Sequence, residues 1–161
     1  MINLEFKKIE LENFYKVCSL GLEDCDKGFI VSNETSLAEA YLFKSMGAFV
    51  LPLAIYHDNN LVGFTMITKG YVGDDVKSEY LDNYCVLRLM MDSKYQNKGL
   101  GKETLEKIVS MIKDFDSKQD FIWISAKVLN ARALHVYESV GFKKTNDYCI
   151  DEIILKYDLS N

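Results

Sequence analysis

The chain has 161 residues, with 19 Lys plus Arg against 24 Asp plus Glu for a formal charge of −5, and 48% of its residues are hydrophobic. That length fits one domain, 1–161, around one core, and an apolar content of this order with a single proline excludes disorder as the main state. No apolar run approaches the roughly 20 residues that cross a bilayer, and the opening MINLEFKKIELENF carries acids where a signal's apolar stretch belongs, so a cytoplasmic protein is expected.

In chain order, NLEFKKI alternates as a short strand, and ELENFYKVCSL follows with helical period through Leu11, Phe14, Tyr15 and Cys18. SLAEAYLFKSM predicts a second helix, with Ser36 and Glu39 at capping-box spacing and Leu37, Ala40 and Tyr41 on one face. AFVLPLAIYH and LVGFTMIT read as a hairpin turned at Asp58-Asn59-Asn60. Pro52 cannot donate to a ladder and belongs at an edge or bulge. YCVLRLMM is a buried strand ending at Asp92, and Gly99 opens a helix whose Leu105, Ile108, Val109 and Ile112 form one stripe. FIWISAK is a strand, ARALHVYESVGF a helix closed by Gly141 with Phe142 packing back, and Phe142 through Tyr157 gives two last strands. The order βααβββαβαββ is a mixed α/β (α+β) domain. Trp123, alternating with Phe121, belongs to the core.

Two acidic stretches, 23–39 and 70–82, carry −4 and −3, leaving +2 on the remainder. The acidic balance argues against nucleic acid as a partner, and the acidic loops suit a cationic ligand or plain solvation. Cys18, Cys25, Cys85 and Cys149 show no C-x-x-C pair and no His at ligand spacing, so buried reduced thiols are expected and no metal site. His57 adjoins the hairpin turn and His135 sits near a helix end, so neither is assigned as a base.

The chemistry lies in LRLMMDSKYQNKGLGKETLEKIV, residues 87–109. A Gly-rich turn from strand into helix offers free N–H groups at the positive end of a helix dipole, which suits phosphate. A Walker A loop fails at Gln96 and Glu103, and a dinucleotide fingerprint fails at Thr104 and on the hairpin-rich order of strands. What remains is Q-x-x-G-x-G, Gln96 to Gly101.

This turn, the order of elements and the downstream NARALHVYESVGF, with Asn130, Ala133, Tyr137, Gly141 and Phe142 in N-x-x-A-x-x-x-Y-x-x-x-G-F, resemble the GNAT superfamily of acetyl-CoA-dependent N-acetyltransferases over nearly the full length. The resemblance implies the GNAT fold, a mixed, mostly antiparallel twisted sheet flanked by about four helices. It implies acetyl-CoA as donor, no metal, direct attack by a primary amine in a ternary complex, and a homodimer. In that fold the strand ending near Met91 splays from its neighbour around a bulge, and the pantetheine arm adds alongside Leu89, Met90 and Met91 as an extra strand would. The Met91 N–H is then the oxyanion donor. The diphosphate rests on N–H groups of Asn97, Lys98, Gly99, Leu100, Gly101 and Lys102, with Lys98 and Lys102 either adding charge or merely exposed. Tyr137 is the general acid for the leaving thiolate or a core tyrosine. Asn130 caps its helix, touches the arm, or both. A proline often found two residues before this Asn in the family is Val128 here.

FIVSNETSLAEAY and YCVLRLMMD also resemble bacterial diamine and polyamine acetyltransferases, which with the acidic loops makes a linear cationic amine such as spermine or spermidine the expected acceptor. Glu34, Glu39, Asp74, Asp75, Glu79 and Asp82 are the possible amine contacts, with Glu34 and Glu79 first. Another amine (a protein amino terminus, a lysine, an aminoglycoside-type drug) and a non-catalytic acyl-CoA sensor are the alternatives left open.

Overall fold

The computed structural model describes residues 2–70 and 76–160. Seven strands form one twisted sheet in the order β1-β2-β3-β4-β5-β7-β6. They are β1 (Leu4–Lys8), β2 (Phe49–His57), β3 (Asn60–Lys69), β4 (Tyr84–Met91), β5 (Phe121–Lys127), β6 (Lys143–Cys149) and β7 (Glu152–Asp158). All neighbours are antiparallel except β4 and β5. Helices α1 (Leu11–Cys18) and α2 (Asn33–Ser45) share a core with Phe64, Met66 and Met90. Helices α4 (Leu100–Phe115) and α5 (Ala131–Val140) share another with Val86, Ile122, Ile124 and Leu155. The helix stripe Leu105, Ile108, Val109 and Ile112 is buried there as its spacing requires.

The predicted order holds, with one added turn of helix, α3 (Ser78–Leu81), and a 3-10 turn at Ser93–Tyr95. The hairpin turns at Asp58 and Asn59, both at positive φ (48° and 64°), which is the type I′ geometry matching strand twist. Pro52 stands one residue beyond the last β1 partner, Leu53, where β2 has become the sheet edge.

Three local expectations are corrected. In α1 the buried positions are Asn13 and Val17, whereas Leu11 and Tyr15 are exposed. Asn13 is buried because its amide caps the helix, accepting from the Glu10 N–H at 2.9 Å and donating to the Lys8 carbonyl at 2.9 Å. In α2 the cap is Ser32, whose hydroxyl accepts from the Thr35 N–H, so Ser36 lies inside the helix and Tyr41 faces solvent. Of the four thiols only Cys85 is buried, and Cys25 is exposed. Trp123 is core, packed on Tyr80 and donating Nε1–H to its carbonyl at 2.9 Å. No helix among the described residues is long and apolar enough to cross a membrane.

The parallel pair opens the sheet. β4 and β5 are in register only at Tyr84 with Ile122 and Cys85 with Trp123. Two residues later β4 bulges, because Met66 faces Arg88 while Ile67 faces Val86, leaving Leu87 unpaired with β3. The half of β4 from Leu87 to Met91 therefore keeps β3 on one side and lines a cleft on the other.

Candidate functional site

Two cavities meet in this cleft. One, of about 190 Å³, runs along Leu89, Met90 and Met91 to Gln96, Asn97, Gly99, Leu100, Gly101 and Lys102. The other, of about 320 Å³, opens on the far side toward Arg88, Ser125 and Glu152. Ile30, Leu89, Asn130, Ala133 and Tyr137 line both.

The first cavity is built as an anion cradle. Asn97 (φ 59°) and Gly99 (φ 79°) take left-handed conformations on either side of Lys98, the kind of turn whose successive N–H groups can form an anion-binding nest. The Glu103 N–H is the first of α4 to return to a carbonyl, that of Gly99. The N–H groups of Leu100, Gly101 and Lys102 are thus the orphan donors at the positive end of a sixteen-residue helix. Leu100 has its side chain in the core with Met91, so only its backbone faces the cradle. Any side chain at Gly101 would project into this space, its Cβ meeting nothing nearer than Met91 at 3.9 Å. Lys98 lies over the Tyr95 ring at 5.3 Å, and Lys102 pairs loosely with Glu106 at 3.7 Å. Both ammonium groups are exposed and able to swing to a phosphate.

Gln96 fixes the geometry between strand and turn. Its Nε2 donates to the Met91 carbonyl at 3.1 Å, and its Oε1 accepts from Arg132 Nη1 at 2.7 Å. The Asp92 N–H donates to Val62 of β3 at 2.9 Å, so strand alternation turns the Met91 N–H away from β3, to the cleft side. Arg132, absent from the sequence-derived set, also donates to Asp26 at 3.2 Å. It brings a guanidinium to the cradle and ties down the acidic loop before α2.

Tyr137 stands at the junction. It is 8% exposed, packs on Phe142 at 6.5 Å between ring centroids, and its hydroxyl makes no hydrogen bond to the protein among the described residues. Burial first, then the negative charge of Glu152 and the Cys85 thiol, push its phenol far above the ordinary tyrosine range. It therefore holds its proton at any working pH, as a donor must. Asn130 caps α5, its side chain accepting from the Ala133 N–H at 3.2 Å, and still faces both cavities.

The second cavity has its own charge pattern. Arg88 of β4 donates to Glu39 at 2.6 Å and to the Ser36 hydroxyl at 3.1 Å. The β6–β7 turn brings Asp151, paired with Lys127 at 3.4 Å, and Glu152, which accepts from the Ser125 hydroxyl at 2.6 Å. Three carboxylates thus face one guanidinium, with Phe29, Ile30, Val31 and Ile150 supplying apolar wall.

The first cavity gathers the predicted coenzyme positions Leu89, Met90, Met91, Gln96, Asn97, Gly99, Leu100, Gly101, Lys102, Asn130, Ala133 and Tyr137, while Lys98, in the same turn, lies over Tyr95 outside the lining. The structure does not bring Glu34 or Glu79 to either cavity. Glu34 is exposed on the first turn of α2, and Glu79 of α3 pairs with Lys156 of β7 at 3.3 Å. Asp82 is exposed at the end of α3, and Asp74 and Asp75 lie outside the described residues. Arg88, Asp151 and Glu152 escaped sequence reasoning because sheet register, not spacing, carries them to the site. The acid pair at the Cys149-Ile150-Asp151-Glu152 turn was the available signal. His57 sits by its turn, 3.1 Å from the Asn3 carbonyl, and His135 is exposed.

The chain has counterparts among known proteins in sequence and in fold. The acetyltransferase (GNAT) family matches residues 13–142. The spermine/spermidine N(1)-acetyltransferase of Bacillus subtilis (strain 168) is 25% identical over 148 residues, 88% of this chain and 89% of that protein. The ribosomal protein bS18-alanine N-acetyltransferase of Escherichia coli (strain K12) is 30% identical over 64 residues, 40% of this chain and 42% of its own length. Among solved structures, the aminoglycoside acetyltransferase AAC(6')-Ib in complex with coenzyme A superposes with a TM-score of 0.79 at 14% identity, covering 97% of this chain and 95% of that one. The PaiA N-acetyltransferase of Thermoplasma acidophilum in complex with coenzyme A gives 0.67 at 18% identity, covering 98% and 99%. At these identities the structures speak for the fold alone.

Proposed function

Because this chain belongs to the GNAT acetyltransferase family and is an acetyl-CoA-dependent N-acetyltransferase, we propose that its acceptor is a linear polyamine or diamine of the spermine/spermidine type. The observation that carries the proposal is the cavity beyond Tyr137, lined by Glu39, Asp151 and Glu152 against Arg88, with Lys127 pairing Asp151 from outside the lining, so that acids still outnumber cations. A net negative pocket with apolar walls suits a chain of ammonium groups separated by methylenes. The relative from Bacillus subtilis, which spans most of the chain and is named for spermine and spermidine, supports the same reading.

Acetyl-CoA supplies an activated acetyl group as a thioester. The chain's part is to hold and aim it. Orphan amides from Asn97 to Lys102, with Arg132, Lys98 and Lys102, grip the phosphates. The open edge of β4 from Leu89 to Met91 receives the pantetheine. The Met91 N–H, braced by Gln96 on the adjoining carbonyl, donates to the carbonyl oxygen as charge develops there, a contribution of about 2.7–4 kcal/mol in comparable sites. Tyr137, at the junction of the two cavities, delivers a proton to the departing sulfur.

The test is thiol release from acetyl-CoA by purified protein across a panel of spermine, spermidine, 1,4-diaminobutane, kanamycin and an alanine-initiated peptide. The polyamines are expected to give the highest kcat/KM. A panel led by kanamycin or the peptide removes the polyamine reading, and coenzyme binding without turnover on any amine points to a sensor instead.

A further inference from the structure

An aliphatic amine titrates near 10, so an acceptor reaches the site as an ammonium ion and some group must take its proton. The described part of the acceptor cavity offers three carboxylates. Glu39 is bound to Arg88 at 2.6 Å, and Asp151 is paired with Lys127 at 3.4 Å, so each already answers a cation. Glu152 is different. Its Oε2 accepts a hydrogen bond from a neutral group, the Ser125 hydroxyl, at 2.6 Å, and its Oε1 has no partner among the described residues. It is half-buried at the start of β7, opposite Lys127 in the β5 register, and lines the same cavity as Tyr137.

We infer that Glu152 is the general base of this enzyme, oriented by Ser125 so that Oε1 meets the incoming ammonium group. The inference rests on the acetyl-transfer activity and not on the acceptor being a polyamine. Glu152 takes one proton from the ammonium ion. The freed electron pair forms the N–C bond to the acetyl carbonyl carbon as the C–S bond breaks. Tyr137 gives its proton to sulfur and recovers one from the newly acylated nitrogen, and Glu152 sheds its proton to solvent. Protons balance, with one released per amide formed.

The charged and titratable surroundings favour this assignment. Tyr137 of α5 is close enough for the Glu152 charge to hold its proton in place. Cys149 of β6 and Asp151 flank the carboxylate, and Arg88 stands in the same cavity already neutralised by Glu39. Lys127, the register partner in β5, is engaged by Asp151. Glu152 is therefore the carboxylate of this cavity that no cation claims among the described residues.

The decisive variant is Glu152→Gln, which keeps the side chain's size and its acceptor for Ser125. Its kcat/KM at pH 7 is expected to fall by roughly 10²–10⁴-fold, and the deficit to shrink as pH rises toward about 10, because an amine that arrives already deprotonated needs no base. Glu152→Asp is expected to recover part of the loss. Calorimetry of the same amine on coenzyme A-bound protein is expected to show affinity weakened by about tenfold or more, with coenzyme affinity unchanged. A rise in amine KM with kcat and the pH profile preserved would make Glu152 an anchor only and overturn the inference, as would amine binding identical to wild type. Should Glu152→Gln fail to fold, Ser125→Ala serves: it removes the donor that orients the carboxylate, so kcat/KM at pH 7 is expected to fall about tenfold or more, with the deficit shrinking toward high pH and coenzyme affinity unchanged, and a kcat/KM equal to wild type across pH overturns the inference. An acceptor panel in which only non-polyamines react removes the polyamine reading, and the pH comparison is then run on whichever amine is accepted.

Discussion

At Tyr137 the hydroxyl has no protein partner among the described residues and a proton that burial, Glu152 and Cys85 all hold in place. A side chain so placed contributes little to stability through that oxygen, so Tyr137→Phe separates chemistry from folding. Its kcat is expected to fall about 10²–10⁴-fold, with coenzyme affinity by calorimetry and thermal midpoint near wild type. Unchanged turnover across pH removes Tyr137 from the proton path. A second residue tests strain. Ile150 has φ 57° in the two-residue turn between Cys149 and Glu152, a β-branched side chain where glycine is favoured, and it is 79% exposed. The left-handed region costs a residue with a Cβ about 1–2 kcal/mol, partly offset in glycine by about 0.5–1 kcal/mol of chain entropy. Ile150→Gly is therefore expected to stabilise the protein by up to about 1 kcal/mol, a rise of about 2–4 °C in Tm. A lower Tm would show that Ile150 packs in a way that its exposure does not suggest.

At the scale of elements, the junction of β4 with α4 is the proposed coenzyme seat, and Gly101 separates its structural and binding demands. Within a helix glycine costs about 1 kcal/mol relative to alanine, and a Cβ at Gly101 meets no protein atom nearer than 3.9 Å. Gly101→Ala is expected to raise Tm by about 2–4 °C while weakening coenzyme binding by about tenfold or more, the loss of one hydrogen bond to a charged group. Gly63 of β3 behaves oppositely, since a Cβ there collides with the Met90 carbonyl oxygen and forces β3 from β4 beside the cleft. This junction was readable in the sequence because all of its parts are local: strand, Gly-rich turn and apolar stripe lie within residues 87–109. The α5 motif was readable for the same reason, with Asn130 and Tyr137 two helical turns apart. The acceptor side was not. Glu152 reaches Ser125 through the antiparallel register of β5 and β7, and Arg88 reaches Glu39 across 49 positions. Pairings of that kind leave no periodic trace, and an acidic stretch such as 70–82 draws attention that Asp151 and Glu152 do not. Faces of α1 misled for a related reason: Asn13 is buried to satisfy backbone groups, while Leu11 and Tyr15 remain outside.

Across the whole molecule, polar ties hold α3 to the last two strands and make stability depend on pH at both ends. Asp147, displaced by the irregular pairing of β6, accepts from Lys77 and from the Tyr80 hydroxyl, both at 2.6 Å, and Glu79 pairs with Lys156. The Lys77 hydrogen bond, then that of Tyr80, holds the Asp147 carboxyl below the ordinary range. A depressed pKa in the folded state gives stability that is complete above the unfolded value near 3.9 and is lost as pH falls through the folded value. Burial, then Asp147, raises the Tyr80 phenol, giving stability that is complete below about 10 and is lost as pH rises toward the folded value. Urea midpoints are expected to form a plateau between these limits, and Asp147→Asn to lower the plateau and flatten the acid limb. An acid limb that Asp147→Asn leaves unaltered would place the acid sensitivity in other carboxylates. Charge also acts on catalysis at this scale. The formal charge is −5, and the acceptor cavity has three carboxylates to one guanidinium, so a polycation is drawn inward by a field that salt screens over about 10 Å at 0.1 M. Raising NaCl from about 0.05 to 0.5 M, where the screening length shortens to about 4 Å, is expected to lower kcat/KM for spermidine several-fold and to leave kcat nearly constant. A singly charged amine is expected to show a much smaller change. Equal salt dependence for the two acceptors would mean that the carboxylates hold the substrate only on contact and do not steer it.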